Sequence, residues 1–197
     1  IRVLGASIGY ALDKAILYGT GTKMPVGVVT ALAAVSDTPN IVSHAATVTG
    51  IALMRALIDD ISKAKGKYSR GVKTWVMNEA TYTKLKAESM SINAAGTVVA
   101  GMDGTLPVVG GIVEVLDFIP DDMIFGGYFD LYLLAERSSE KFAQSEHYRF
   151  LQDQTVFKGT ARYDGKVLDS NAFVAIGVNG ADASDMTTTF AQDSANL

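Results

Sequence analysis

The spacing of apolar residues changes along this chain, and that change most constrains its fold. Apolar residues recur at helical spacing over residues 2–18 and again over residues 51–61, which predicts a helix in each segment. Thr47 or Thr49 is the expected cap of the second helix. From Thr97 onward the apolar runs are short and are separated by Gly and Pro, as is typical of β-strands. We therefore expect an α+β fold, with helices early and an antiparallel meander late.

Shorter segments complete this prediction. Thr74–Met77 is predicted as a strand, followed by a short helix from Glu79 to about Glu88. Further strands are predicted at residues 112–116 and 128–134, with two more within residues 141–163. Asp164–Gly165 is a strong hairpin signal, so we expect the chain to reverse there, between strands at 155–163 and 166–176.

Composition excludes several classes of protein. The chain has 197 residues, of which 48% are hydrophobic and 19% charged, so burial can offset the entropy that ordering costs. It contains no cysteine, which excludes a disulfide scaffold and a thiolate metal site. The net charge of -4 and the pI near 5.1 disfavour a general nucleic-acid binder. No apolar run is long enough to predict a membrane span.

One motif suggests catalysis. Gly5-Ala6-Ser7-Ile8-Gly9 matches G-x-S-x-G, the pattern in which α/β-hydrolases place a nucleophilic serine on a strained strand-to-helix turn. Here the apolar spacing of the first helix continues through the motif, and no strand is predicted before it. A helix whose small residues admit a close neighbour is the favoured interpretation. A small serine hydrolase using Ser7 remains the alternative from another functional class.

Other polar residues do not assemble into a site. The connector Gly19–Lys23 resembles a phosphate-binding loop, but Met24 stands where that loop needs glycine. His44 and His147 are far apart and lack partners at metal-ligand spacing, so each is interpreted as a surface or hydrogen-bonded histidine. We expect Asp59–Asp60 on the solvated side of the second helix. The residues therefore predict no catalytic site, no cofactor and no metal.

Short motifs nevertheless follow one another in an informative order. The first helix runs into Ala11–Gly21, which ends in a Gly-x-Gly turn, and Pro25–Val28 follows. In Trp75–Asn78, a Trp lies in the predicted strand and an Asn precedes the predicted short helix. The later motifs are Phe125–Tyr128 with Tyr132 and Arg137, Ser145–Phe150, Asp153–Gln154, Arg162–Val167 and Asn171–Val174. In this order they resemble the HK97-like major capsid proteins of tailed bacteriophages, over most of residues 10–176.

The resemblance has departures and implies a domain plan. Gly127 stands where the family often has Asp, and Leu106–Val108 precedes the glycines of its loop. The implied fold is the HK97-like capsid fold, and the chain is expected to be a C-terminal fragment lacking the N-terminal arm and extended loop. The implied peripheral domain comprises residues 1–45 and 136–178, the axial domain comprises 46–135, and residues 179–197 form a flexible tail.

The function implied by the resemblance is structural rather than enzymatic. Copies would form hexamers and pentamers of an icosahedral phage head that encloses double-stranded DNA without sequence-specific contact. Other implied partners are scaffold, protease and portal proteins, with no membrane. The location would be the virion, assembled in the cytoplasm of the bacterial host. An encapsulin-type compartment shell is the alternative within the same fold.

Subunit contacts are the expected sites of such a protein. We expect one contact on the first helix around Asp13 and Lys14, and another at the loop that faces the capsomer axis. The residues predicted in that loop are Met102, Asp103, Gly104, Leu106, Gly110 and Gly111.

Overall fold

The computed structural model describes residues 2–91 and 111–184. Its helices are α1 (Arg2–Tyr18), α2 (Val28–Ala33), α3 (Gly50–Ile61) and α4 (Glu79–Ser91). Its strands are β1 (Ile41–Ser43), β2 (Thr74–Met77), β3 (Ile112–Val115), β4 (Met123–Gly127), β5 (Tyr132–Arg149), β6 (Gln154–Val167) and β7 (Phe173–Gly177). Short 3-10 turns lie at Phe129–Leu131, Phe150–Gln152 and Ser170–Ala172. The predicted α+β class is confirmed.

Five strands form a mixed sheet in the order β1-β7-β4-β2-β3. The pairs β1–β7 and β2–β3 are parallel, whereas β2–β4 and β4–β7 are antiparallel. The predicted late antiparallel meander is therefore wrong for this sheet. The reason is that β7 returns to the middle of the sheet, where every residue of β4 and β7 is buried. Strands buried on both faces carry no alternating pattern, and β4 was not predicted for that reason.

Both faces of the sheet are covered by helices. Alternate residues of a strand point to opposite faces, so Trp75 and Ile124 lie in one core and Val76 and Phe125 in the other. The helical residues that pack there are Leu53, Leu57, Ile61 and Leu85 on the first face and Leu17, Tyr18, Val28 and Leu32 on the second. The sheet thus fixes α1 on one side and the α3–α4 pair on the other.

The predicted helices are present, but the expected threonine cap of α3 is not formed. The three predicted helices are confirmed as α1, α3 and α4, and the predicted strand before α4 is confirmed as β2. Helix α2 was not predicted. The Asn78 side chain caps α4 by accepting from the Thr81 N–H at 2.8 Å. Thr49 does precede α3, but its side chain makes no capping bond. Glu88 of α4 accepts instead, from the Gly50 N–H at 2.6 Å.

Strands β5 and β6 form a separate two-stranded antiparallel ribbon. The predicted reversal at Asp164–Gly165 is wrong: both residues lie inside β6, and the chain turns at residues 150–153 instead. A tertiary contact decides this, because the Gly165 carbonyl accepts from the Val26 N–H at 2.8 Å. The strand predicted at 128–134 is also interrupted, since residues 129–131 form a 3-10 turn.

The division into peripheral and axial domains stays a prediction. The five-stranded sheet takes β1 from residues 1–45, β2, β3 and β4 from residues 46–135, and β7 from residues 136–178. In the predicted tail, Ala183 is buried and its N–H donates to Ser43 Oγ at 2.9 Å. Residues 185–197 lie outside the described residues.

Candidate subunit interface

The β5–β6 ribbon is the largest part of the described chain that its own fold leaves uncovered. Helix α1 approaches one face of it at Gly159, where an added Cβ would lie 3.2 Å from Ile8 Cδ1 and 3.3 Å from Phe142 Cε1. Most ribbon side chains are exposed, in strands of 18 and 14 residues. A two-stranded ribbon is marginally stable in water unless something packs on it. Its exposed face is therefore a candidate contact surface.

The far end of the ribbon exposes several large apolar side chains among polar ones. Tyr148 is 79% exposed and Leu151, in the turn, is 95% exposed. Phe157 also exposes about half of its surface, at 53%. Apolar side chains grouped in this way on a soluble protein indicate a surface that another molecule covers.

The ribbon face turned away from α1 is positively charged. Within β6, Lys158, Arg162 and Lys166 are an even number of residues apart, so they share a face. Lys141 of β5 lies opposite Thr160 and therefore joins them. All four are exposed, and no ion pair of the described residues involves them. We call these four residues the cationic face.

The cationic face also carries one carboxylate of β6, Asp164, which accepts from the Gly165 N–H at 2.8 Å. This face was not predicted from the sequence, although the even spacing of its three basic residues in β6 is visible there. The spacing became informative only once residues 154–167 were known to form one uninterrupted strand.

A second uncovered surface is a groove between α1 and the β3 edge of the sheet, with a volume of about 300 Å³. Its walls are Asp13, Ile16 and Leu17 of α1, Thr74 and Val76 of β2, and Glu114, Leu116 and Phe129. Asp13, a predicted interface residue, thus borders a concave surface, and Lys14 follows it on the helix. We call this surface the α1–β3 groove.

The Asp13 carboxyl has no protein partner among the described residues. It remains exposed, yet partial burial by its surroundings raises its pKa above the ordinary value. Within residues 2–91 and 111–184, no hydrogen bond or ion pair reaches its side chain. Glu114 lines the same groove and is also exposed. A cation brought to this groove would therefore be favoured.

Of the predicted axial loop, only Gly111 falls within the described residues. Its φ is +107°, and an added Cβ would lie 2.6 Å from Trp75 Nε1 and 2.8 Å from the Lys73 carbonyl oxygen. Glycine is required there because the backbone passes directly against the Trp75 ring. Met102, Asp103, Gly104, Leu106 and Gly110 lie outside the described residues, so their interface role stays a prediction.

Ser7 does not occupy a nucleophile elbow. It lies within α1, and its hydroxyl donates to the Val3 carbonyl oxygen at 2.9 Å, four residues earlier. The catalytic interpretation requires a strand-to-helix turn at the serine, and the continuous helix contradicts it. The expectation that the small residues of this helix admit a close neighbour is also wrong for the described residues, because a Cβ added at Gly5 or Gly9 would meet no atom within 4 Å. His147 is exposed on β5, as expected for a surface histidine.

The prediction that Asp60 is solvated is wrong. Asp60 is buried beside Leu57 and Ile61, where its carboxylate bonds to His44 Nε2 and accepts from Lys63 Nζ at 2.9 Å. These partners compensate for the loss of water around the carboxylate. Because the partners come from distant or flanking segments, the acidic pair in the sequence did not indicate the burial.

The described part of the chain contains no group of three or more His, Cys, Asp or Glu side chains that could hold a metal ion. None of its helices combines the length and the apolar character needed to cross a membrane.

Comparison with known structures gives the fold a context. The chain superposes on the capsid of the native GTA particle with a TM-score of 0.63 at 19% identity, covering 90% of this chain and 63% of that one. It superposes on the satellite phage P4 procapsid with a TM-score of 0.55 at 12% identity, covering 93% of this chain and 64% of that one. It superposes on the SrpI encapsulin complex of Synechococcus elongatus PCC 7942 with a TM-score of 0.58 at 9% identity, covering 96% of this chain and 67% of that one.

Comparison of sequences gives the family. No curated protein sequence matches the chain. The phage capsid family, however, matches residues 1–178, which include every described helix and strand. The chain belongs to the phage capsid family.

Proposed function

We propose that this chain is a structural subunit of an icosahedral phage head, in which copies associate as hexamers and pentamers around double-stranded DNA. The observation that carries the proposal is the family match over residues 1–178. The capsid-like fold supports it independently. Under this proposal the chain catalyses no reaction, and its location is the virion after assembly in the host cytoplasm.

The uncovered surfaces of the fold suit this role. A shell subunit must bury large areas against neighbours, and stable interfaces bury about 800 Å² on each partner. The long ribbon and the α1–β3 groove are two uncovered surfaces at different places on the subunit that could contribute to such contacts. The net charge of -4 fits a wall that encloses DNA without gripping its phosphates.

The predicted domain plan and further partners belong to the same proposal. Residues 46–135 would face the capsomer centre, with the loop from Met102 to Gly111 at the axis. Residues 1–45 and 136–178 would form the peripheral contacts. Scaffold, protease and portal proteins would act during assembly, and no membrane takes part.

An encapsulin-type shell is the second candidate. Its support is the superposition on the SrpI encapsulin complex, which covers 96% of this chain with a TM-score of 0.58. The two candidates share a fold and differ in what the shell contains. The contents of the assembled particle therefore distinguish them.

The test is electron microscopy of the complete product of the gene, expressed together with its upstream neighbours. We expect closed shells, or rings of five and six subunits. Nuclease-protected DNA in particles purified from the phage host supports a head, whereas protein cargo without DNA supports a compartment. A folded product that remains a monomer or dimer under all of these conditions contradicts both candidates.

A further inference from the structure

The α1–β3 groove has the chemistry of a receptor for a long cationic side chain. Its walls are mainly apolar, with Ile16, Leu116 and Phe129, and its charged groups are the carboxylates of Asp13 and Glu114. Lysine and arginine place their aliphatic stems along apolar surface while the charged end reaches a polar group. A groove that combines apolar walls with carboxylates matches both parts of such a side chain.

The same chain displays such side chains on the cationic face of the ribbon. Lys158 and Arg162 lie four residues apart on that face, about 13 Å along an extended strand. Both are exposed and take part in no ion pair of the described residues. In the described part of the isolated subunit, neither the cationic face nor the groove therefore has an ion-pair partner.

The ribbon does not fill the groove of its own subunit. The opposite face of the ribbon, at Phe142 and Gly159, is the one that meets α1. The cationic face consequently points away from α1, and no residue of β5 or β6 lines the groove. The two complementary surfaces can meet only between different copies of the chain.

We propose that the cationic face of one copy, centred on Lys158 and Arg162, docks on the α1–β3 groove of a second copy, next to Asp13 and Glu114. This inference rests on the proposed function, because it names the surfaces through which subunits associate. The contact joins two different patches, so each subunit offers one free groove and one free ribbon. Repetition of such a contact by rotation closes a ring.

The absence of cysteine from the chain makes the contact directly testable. Two single-cysteine variants, Glu114→Cys and Lys158→Cys, are mixed, allowed to assemble and oxidised with diamide, which converts two thiols to a disulfide. We expect a disulfide-linked pair that contains one chain of each variant. The matched control replaces Glu114→Cys with Asp59→Cys, an exposed carboxylate position on α3, and should give only background linkage.

Charge reversal gives a second, independent readout. Glu114→Lys and Lys158→Glu each place like charges at the contact and should weaken assembly about tenfold or more, measured by analytical ultracentrifugation. The double variant restores an opposite pair and should recover assembly. Both positions are exposed, so the thermal unfolding of each variant should match that of the unmodified chain.

The outcomes separate this inference from the proposed function. Particles that form without linkage between positions 114 and 158 above the control overturn the contact while leaving the capsid role intact. The same conclusion follows if the double variant assembles no better than either single variant. A chain that neither assembles nor links overturns both proposals.

Discussion

Val26 donates its backbone N–H to the Gly165 carbonyl oxygen at 2.8 Å. The Val26 carbonyl in turn accepts from the Tyr132 hydroxyl at 3.0 Å. Both backbone groups of Val26, in the connector after α1, are therefore hydrogen-bonded to the ribbon, at the start of β5 and near the end of β6. Burial, followed by the charge of Asp164, raises the pKa of Tyr132 to about 12, so this hydroxyl stays protonated across the physiological range. The two hydrogen bonds couple the direction of the ribbon to the end of α1.

Gly165→Ala should lower the free energy of unfolding by about 1–3 kcal/mol, because it overpacks this junction. An added Cβ would lie 2.8 Å from the Leu133 carbonyl oxygen and 2.9 Å from Tyr132 Cε1. Urea denaturation measures the change. Gly9→Ala is the matched control: it has open space around it in α1 and should stabilise by up to about 1 kcal/mol. Equal effects of the two substitutions would contradict the account of the junction.

Phe125→Ala should cost about 3–5 kcal/mol, because it empties a fully buried position in the middle of the sheet. Trp75 is the single tryptophan and is itself fully buried, so its fluorescence reports the unfolding transition. Leu151→Ala, at the exposed turn of the ribbon, should change stability by less than about 0.5 kcal/mol. A small loss for Phe125→Ala would mean that this core is not packed as described.

Asp60→Ala should destabilise the fold by about 1–3 kcal/mol, because it leaves His44 and Lys63 without their shared carboxylate. The neighbouring Asp59→Ala, at an exposed position, should have almost no effect. Thermal unfolding of the two variants provides the comparison. If both residues tolerate alanine equally, the buried ionic group does not contribute to stability.

Asp130 should make stability depend on pH in the acidic range. Hydrogen bonds from Ser69 Oγ and from the Arg70 and Gly71 N–H groups hold its pKa below the ordinary value of 3.8. A lowered folded-state pKa stabilises the fold above pH 3.8, and this contribution is lost as the pH falls through the folded-state value. Asp130→Asn should remove that part of the pH dependence, which denaturation at successive pH values measures. Identical pH profiles for the two proteins would exclude this role.

Local sequence patterns were enough to predict α1, α3 and the four-residue strand β2, although they did not predict α2. The apolar stripes of α1 and α3 and the strand at Trp75 depend on neighbours in sequence, and the structure confirms them. The reversal at Asp164–Gly165 failed because a contact with Val26, far away in sequence, decides the backbone there. Short-range turn preferences carry no information about such contacts.

The surfaces of the candidate interface were predicted only in part. Asp13 was singled out from the sequence, and its interface role stays a prediction. The groove beside it is assembled from α1, β2, β3 and the turn at Phe129, which no single segment reveals. The cationic face depends on which ribbon residues share a side, and that requires the register of β5 against β6. Asp60 was misplaced for the same reason, since burial is a property of the assembled fold.

The position of β7 has a consequence for the timing of folding. This strand follows the other four strands of the sheet in sequence, yet in the sheet it lies between β1 and β4 and joins them. A nascent chain that has not yet released Phe173–Gly177 from the ribosome leaves β1 without its neighbour and one edge of β4 unpaired. The sheet can therefore close only after Phe173–Gly177 has been synthesised, although its other four strands are available earlier.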